Sequence, residues 1–172
     1  MPTKIQVLPK ALCDQLAAGE VLERASSAIK ELIENSLDAN ADDIAVEIEE
    51  AGRKRLCVSD NGCGMSPEDA KLSVLRHATS KIRSTSDLSA ISTMGFRGEA
   101  LASMAAVSKM TVITQPHDAD IGTYLRVEGA EMVECRETAA PPGTQIALEE
   151  LFFNTPARLK FLKTPATETR RV

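Results

Sequence analysis

The chain has 172 residues, 43% hydrophobic and 3% aromatic with no tryptophan, enough for one sizeable core of aliphatic side chains. A formal net charge of −5 excludes an overall basic field that recruits nucleic acid. Cys13, Cys57, Cys63 and Cys135 show no CxxC spacing and no apolar run reaches membrane length, so a reduced, cytoplasmic protein with buried cysteines, no zinc site and no membrane contact is expected.

The first predicted element is LCDQLAAGEVLER (12–24), helical in composition with Gly19 as a break. Ser26 and Ser27 are candidate caps for a second helix that runs to Ala39, where Asn40 can take the left-handed conformation that ends it. Within it, IKELIENSLDAN (29–40) has two faces. At about 100° per residue, Ile29, Leu32, Ile33 and Leu37 cluster on one side, and Glu31, Glu34, Asn35 and Asp38 on the other. Taken alone, the polar side fits an ordinary solvated face as well as a row of ligands.

IAVEIEE (44–50) and RLCVSD (55–60) alternate and flank the turn AGRK, which reads as a β-hairpin. NGCGMSPED then turns the chain, with Ser66 as N-cap and Pro67 at the first position of a helix to about Leu75. Residues 76–97 are rich in Ser and Thr with weak periodicity and read as a long, partly mobile segment of the kind that is usually functional or disordered. GEALASMAAVS (98–108) is a small-residue helix. KMTVITQ, GTYLRVEG, AEMVECRE and GTQIALEEL supply four more strands, and TPARLKFL (155–162) a last helix. Arg158, Lys160, Lys163, Arg170 and Arg171 form a local basic cluster of the kind that is usually solvated. This order predicts an α/β two-layer sandwich, a mixed β-sheet with helices on one face.

Three glycine-bearing spots can carry chemistry. SDNGCGM (59–65) puts a carboxylate at a strand end before two glycines, either an ordinary Asn-Gly turn or a place where another molecule meets the backbone. GFRGEAL (95–101) places Gly95 and Gly98 before a helix, whose free N–H groups suit an anion such as phosphate. It is neither a Walker A loop nor a dinucleotide fingerprint. PPGTQIAL (141–148) puts Thr144 at the head of a strand. Glu31 and Asn35, one helical turn apart, combine a candidate base with a neutral oxygen donor of the kind that serves Mg²⁺ beside substrate phosphates.

Taken together, KELIENSLDA, DNGCGM, RHATSK, GFRGEALAS and FFNTPAR, in this order and with the opening IQVLP…LAAGEVLER, resemble the N-terminal ATPase region of the MutL DNA mismatch-repair proteins. That family shares its ATPase fold, the GHKL or Bergerat type, with type II topoisomerases, a heat-shock chaperone and sensor histidine kinases. The resemblance implies ATP or ADP and Mg²⁺ as ligands. Glu31 would be the general base and Asn35 the Mg²⁺ ligand, and Asp60 would bind the adenine amino group. Gly62, Gly64 and Met65 would line the purine, with Thr144 beside Asp60. Thr79, Ser80 and Lys81 would belong to a lid over the nucleotide, within 76–97. Gly95, Phe96, Arg97, Gly98, Glu99, Ala100 and Leu101 would face the phosphates. Asp38 and His77 are expected to be structural. The chain departs from the family pattern at Ala25 (more often Pro), Asn40 (Gly) and Leu159 (a second Arg).

The resemblance further implies that residues 1–172 form one ATP-binding domain, truncated before a second subdomain and a C-terminal dimerisation domain. The whole protein would be a bacterial, cytoplasmic, nucleoid-associated Mg²⁺-dependent ATPase. It would dimerise and couple a MutS-type mismatch recogniser to a downstream endonuclease or helicase, touching DNA mainly through the missing domains. Rival readings are a nucleotide-gated binding module without useful turnover, and the ATPase domain of a topoisomerase or a histidine kinase.

Overall fold

A computed structural model of the chain describes residues 6–78, 98–162, 167, 168 and 170. Helices α1 (Lys10–Val21) and α2 (Ala25–Asp38) precede a hairpin of β1 (Ile44–Glu49) and β2 (Arg55–Asp60). Helices α3 (Pro67–Ser73) and α4 (Ala100–Val107) follow, then β3 (Lys109–Gln115), β4 (Gly122–Glu128), β5 (Glu131–Thr138), β6 (Gly143–Glu149) and α5 (Pro156–Phe161).

The six strands form one sheet in the order β1-β2-β6-β3-β4-β5, every neighbouring pair antiparallel. The two-layer α/β architecture is as expected, but the sheet is not mixed. Strands β2 and β3 run the same way, as a helical crossover makes them. The last strand, β6, then enters between them and is antiparallel to both. A connection formed late in the chain therefore removes the parallel contact that the element order suggests.

Register explains where the core sits. Side chains two apart along a strand share a face. Leu56, Leu148, Met110 and Val127 lie side by side across four strands, and Val58, Ile146, Val112 and Leu125 form the next row. All eight are buried, and they meet Ala18, Leu22, Ile29, Leu32 and Met104 from the helices. On the open face, Glu49, Arg55, Glu149, Lys109 and Glu128 alternate in sign across five strands. Opposed charges of this kind hold a register that a one-residue slip would invert. At the hairpin end, Lys54 Nζ donates to Glu49 Oε2 at 2.7 Å, and this hydrogen bond holds the Glu49 carboxyl below the usual carboxylate range.

Several local expectations change once packing is visible. Gly19 does not break α1: a Cβ there would press on the Arg158 guanidinium, which donates to Gly19 O at 2.7 Å and to Leu22 O at 2.6 Å. Arg158 therefore caps the C-terminal end of α1 instead of joining a solvated basic cluster. Ser26 and Ser27 are not caps either. Helix α2 starts at Ala25, which is buried against Gly52, so a tertiary contact fixes its first turn. Ala25 is the first helical position, where proline also fits, and Asn40 holds φ 58°, so both departures from the family pattern suit their backbones. Helix α3 stops at Ser73, two residues short, with Ser66 Oγ accepting from Asp69 N as expected. Leu37 is 51% exposed, whereas Ser36, at the i+7 position of the Ile29–Leu32–Ile33 stripe, is 3% exposed. Of the four cysteines only Cys57 is buried; Cys13, Cys63 and Cys135 are exposed.

Candidate functional site

The buried face of the sheet has a third row, and it is polar. Two residues beyond Val58, Ile146, Val112 and Leu125 stand Asp60, Thr144, Thr114 and Thr123, paired in that order. Their parity puts them on the helix-covered face, at the end where β2 runs out. A core that changes from aliphatic to carboxylate and hydroxyls within one row has a polar purpose at that end.

Asp60 is held from two sides. Its Oδ2 accepts a hydrogen bond from Ser36 Oγ at 2.7 Å, and its Oδ1 accepts from Gly62 N at 2.9 Å. Thr144 lies directly opposite it, as expected. Thr114 Oγ1 accepts from Met65 N at 2.9 Å, lies 3.0 Å from Gly143 O and 2.9 Å from Thr144 Oγ1. A hydroxyl has one proton. If Thr114 gives it to the Gly143 carbonyl, the Thr144 hydroxyl donates to Thr114 and keeps its own lone pairs for a ligand.

The turn after β2 is clamped between helix and sheet. Cys63 N donates to Ala39 O at 3.0 Å, so the turn docks on the end of α2. Asn61 is structural: its Oδ1 accepts from Asp42 N and Asp43 N, each at 3.0 Å. At Gly64 φ is +68°, and a Cβ there would overlap the Gln115 carbonyl. Its missing side chain is thus demanded by β3 itself, before any ligand is considered. At Gly143 φ is +120°, and a Cβ there would overlap the Asp60 carbonyl.

Glu31 and Asn35 lie on α2, half-buried, and Ser36 joins the same helix to Asp60. Four residues of helix put Glu31 about 6 Å along the axis from Asn35, with the two side chains on one flank. Helix α4 begins at Ala100 after Gly98, whose φ is +60°, and its N-cap residue, Glu99, makes no side-chain capping bond. The Glu99 carboxylate turns to His77 instead, with Oε1 3.3 Å from Nδ1. Among the described residues no side chain takes up the first N–H groups of α4, the kind of group that suits an anion or water. Thr79, Ser80, Lys81, Gly95, Phe96 and Arg97 lie outside the described residues, as does nearly all of the 76–97 loop. Among the described residues no three His, Cys, Asp or Glu groups converge on a metal position, and no helix is long and apolar enough to cross a membrane.

Two residues at the centre of this arrangement, Ser36 and Thr114, were not singled out from the sequence. Ser36 had a signal, a hydroxyl in the apolar stripe of an amphipathic helix. Thr114 had none, because threonine is ordinary in a strand and only the pairing of β3 with β6 brings it to Thr144.

Residues 23–149 match the family model described as "Histidine kinase-, DNA gyrase B-, and HSP90-like ATPase". The chain is 55% identical over 166 residues to the DNA mismatch repair protein MutL of Syntrophobacter fumaroxidans, covering 96% of this chain and 25% of that protein. It is 54% identical over 172 residues to MutL of Pelobacter propionicus, covering all of this chain and 28% of that protein. The chain thus spans about a quarter of the length of the curated relatives it matches. Among solved structures, the Aquifex aeolicus MutL ATPase domain complexed with ADP is similar with a TM-score of 0.72 and 34% identity, over 88% of this chain and 52% of that one.

Proposed function

Because this chain belongs to the family of histidine kinase-, DNA gyrase B- and HSP90-like ATPases, with close sequence relatives among the MutL mismatch-repair proteins, we propose that residues 1–172 form its ATP-binding domain and act as the nucleotide switch of a mismatch-repair protein. The observation that carries this reading is the polar row. Asp60, oriented by Gly62 and by Ser36 of the helix that also bears Glu31 and Asn35, sits opposite Thr144 at the end of an apolar sheet face.

An adenine placed over the turn donates its amino hydrogen to Asp60 and meets Thr144 at a ring nitrogen, directly or through water. Gly62, Gly64 and Met65 form the backbone it lies against. The triphosphate then runs toward α4, whose start after Gly98 offers N–H groups to its oxygens. The family resemblance assigns Gly95, Phe96 and Arg97 to the same phosphates and Thr79, Ser80 and Lys81 to a lid, all six outside the described residues. Glu31 accepts the proton of a water that attacks the γ-phosphorus as the bond to the leaving ADP breaks. The donor set fits Mg²⁺: a neutral carboxamide oxygen at Asn35, with no cluster of acidic ligands among the described residues, suits a cation whose other ligands are phosphate oxygens and water. Bound there, Mg²⁺ would neutralise phosphate charge.

In the whole protein, slow turnover at this site would draw two such domains together and release them. This would relay detection by a MutS-type recogniser to strand incision by an endonuclease or helicase. Calorimetric titration with a non-hydrolysable ATP analogue, with and without Mg²⁺, tests the reading. Binding that requires both Mg²⁺ and an intact Asp60 is the expected result. Binding unchanged in Asp60→Ala would refute the placement of the base. Equal phosphate release from the parent and Glu31→Ala would favour a nucleotide-gated module without turnover.

A further inference from the structure

The turn that carries Gly62 and Gly64 has a third clamp, from a residue outside the glycine-bearing motifs. Beyond β3 the chain makes a short loop, Pro116 to Ile121. Gln115 Nε2 donates to Ala119 O at 2.7 Å and Ala119 N donates to Pro116 O at 3.2 Å, so the loop is internally braced. From this loop His117 reaches back, and its Nε2 lies 3.0 Å from the carbonyl oxygen of Gly62. A carbonyl only accepts, so Nε2 carries the proton and donates. Gly62 is the residue whose own N–H orients Asp60 Oδ1, at 2.9 Å.

We propose that His117 is a positioning residue for the nucleotide base, a side-chain latch that fixes the Gly62 peptide and, through it, the Asp60 carboxylate. The inference rests on the nucleotide-binding reading above and adds a residue to it. The other contacts of the turn are made by groups that the fold itself needs: Cys63 N on Ala39 O, Met65 N on Thr114 Oγ1, and the close seat of Gly64 on Gln115. His117, by contrast, is exposed and reaches the turn from a surface loop. Replacing it therefore leaves the core untouched and frees the Gly62 carbonyl for water. One neutral hydrogen bond sets the scale of the effect, roughly threefold to tenfold in an equilibrium constant.

The test compares the parent, His117→Ala and His117→Gln, whose amide nitrogen can stand near the position of Nε2. Two quantities are read: hydrogen exchange at the amides of Gly62, Cys63 and Met65 without nucleotide, and affinity for a non-hydrolysable ATP analogue beside its guanine counterpart. In His117→Ala these amides should exchange roughly threefold to tenfold faster, with adenine affinity falling by a similar factor and guanine affinity changing less. His117→Gln should restore both. Unchanged exchange in His117→Ala overturns the latch whatever the nucleotide does. Faster exchange with unchanged affinity overturns its role at the base, and failure of His117→Gln to rescue overturns the hydrogen bond as its cause. A parent that binds no nucleotide overturns the functional reading and the positioning role with it, and the exchange data tell that result from a failure of the latch itself.

Discussion

Thr114→Val asks whether one hydroxyl holds the floor of the site. Thr114 is 1% exposed, and its Oγ1 serves Met65 N, Gly143 O and Thr144 Oγ1 within 3.0 Å. Valine keeps the shape and the strand preference, so packing and local propensity barely change. What changes is that the Gly143 carbonyl, in a buried residue, and the Met65 N–H, in a half-buried one, lose their partner. A buried polar group left unsatisfied costs about 1–3 kcal/mol. With Gly143 near the middle of that range and Met65 near its low end, the variant should lose about 3 kcal/mol. For a chain of this size that corresponds to a fall in Tm of roughly 6–12 °C. Thr114→Ser, which keeps the hydroxyl and loses a methyl, should lie within about 1 kcal/mol of the parent. Thermal and urea denaturation of the three proteins would decide. Thr114→Val as stable as the parent, or Thr114→Ser as unstable as Thr114→Val, would refute the claim that hydrogen bonding rather than packing makes this position.

Ser36→Ala removes the donor to Asp60 Oδ2 and leaves a half-exposed carboxylate that water can serve. Stability should change by less than about 1 kcal/mol, while affinity for an ATP analogue should fall roughly tenfold, since hydrogen bonds to charged groups are the stronger kind. Calorimetry showing parental affinity would mean that Asp60 needs no orientation from α2. Arg158→Lys should cost about 1–2 kcal/mol in urea denaturation, because one ammonium cannot serve both the Gly19 and the Leu22 carbonyls. A lysine variant as stable as the parent would show that the cap at the end of α1 is dispensable.

Much of the architecture is written locally. The stops and starts at Asn40, Ser66 and Pro67 are set by neighbours a few residues away, and the alternation of β2, β3, β4 and β6 is visible in the chain. The chemical residue types of the candidate site are also local facts: a carboxylate and a carboxamide one turn apart on α2, a carboxylate at the end of β2, a threonine at the head of β6. The meeting of Asp60 with the threonines is not. It depends on β6 entering the sheet between β2 and β3, which sets Thr144 against Asp60 on one side and Thr114 on the other. That insertion also makes the sheet antiparallel, a consequence of a contact some 85 residues apart in sequence, between Asp60 and Thr144.

Side-chain environment was less legible than backbone for the same reason. Helical periodicity locates an apolar stripe but is coarse at its margin, so Ser36 and Leu37, adjacent in sequence, exchange places once Asp60 supplies a partner for the serine. Arg158 looked like surface charge because its partners are two backbone carbonyls well over a hundred residues earlier. Gly19 looked like a helix break because the guanidinium that needs its empty side is equally distant. Residue type and short-range spacing determined which groups this protein brings to its chemistry. Strand order and helix packing decided which of them meet, because hydrogen bonds and close contacts form between positions that only the folded chain makes neighbours.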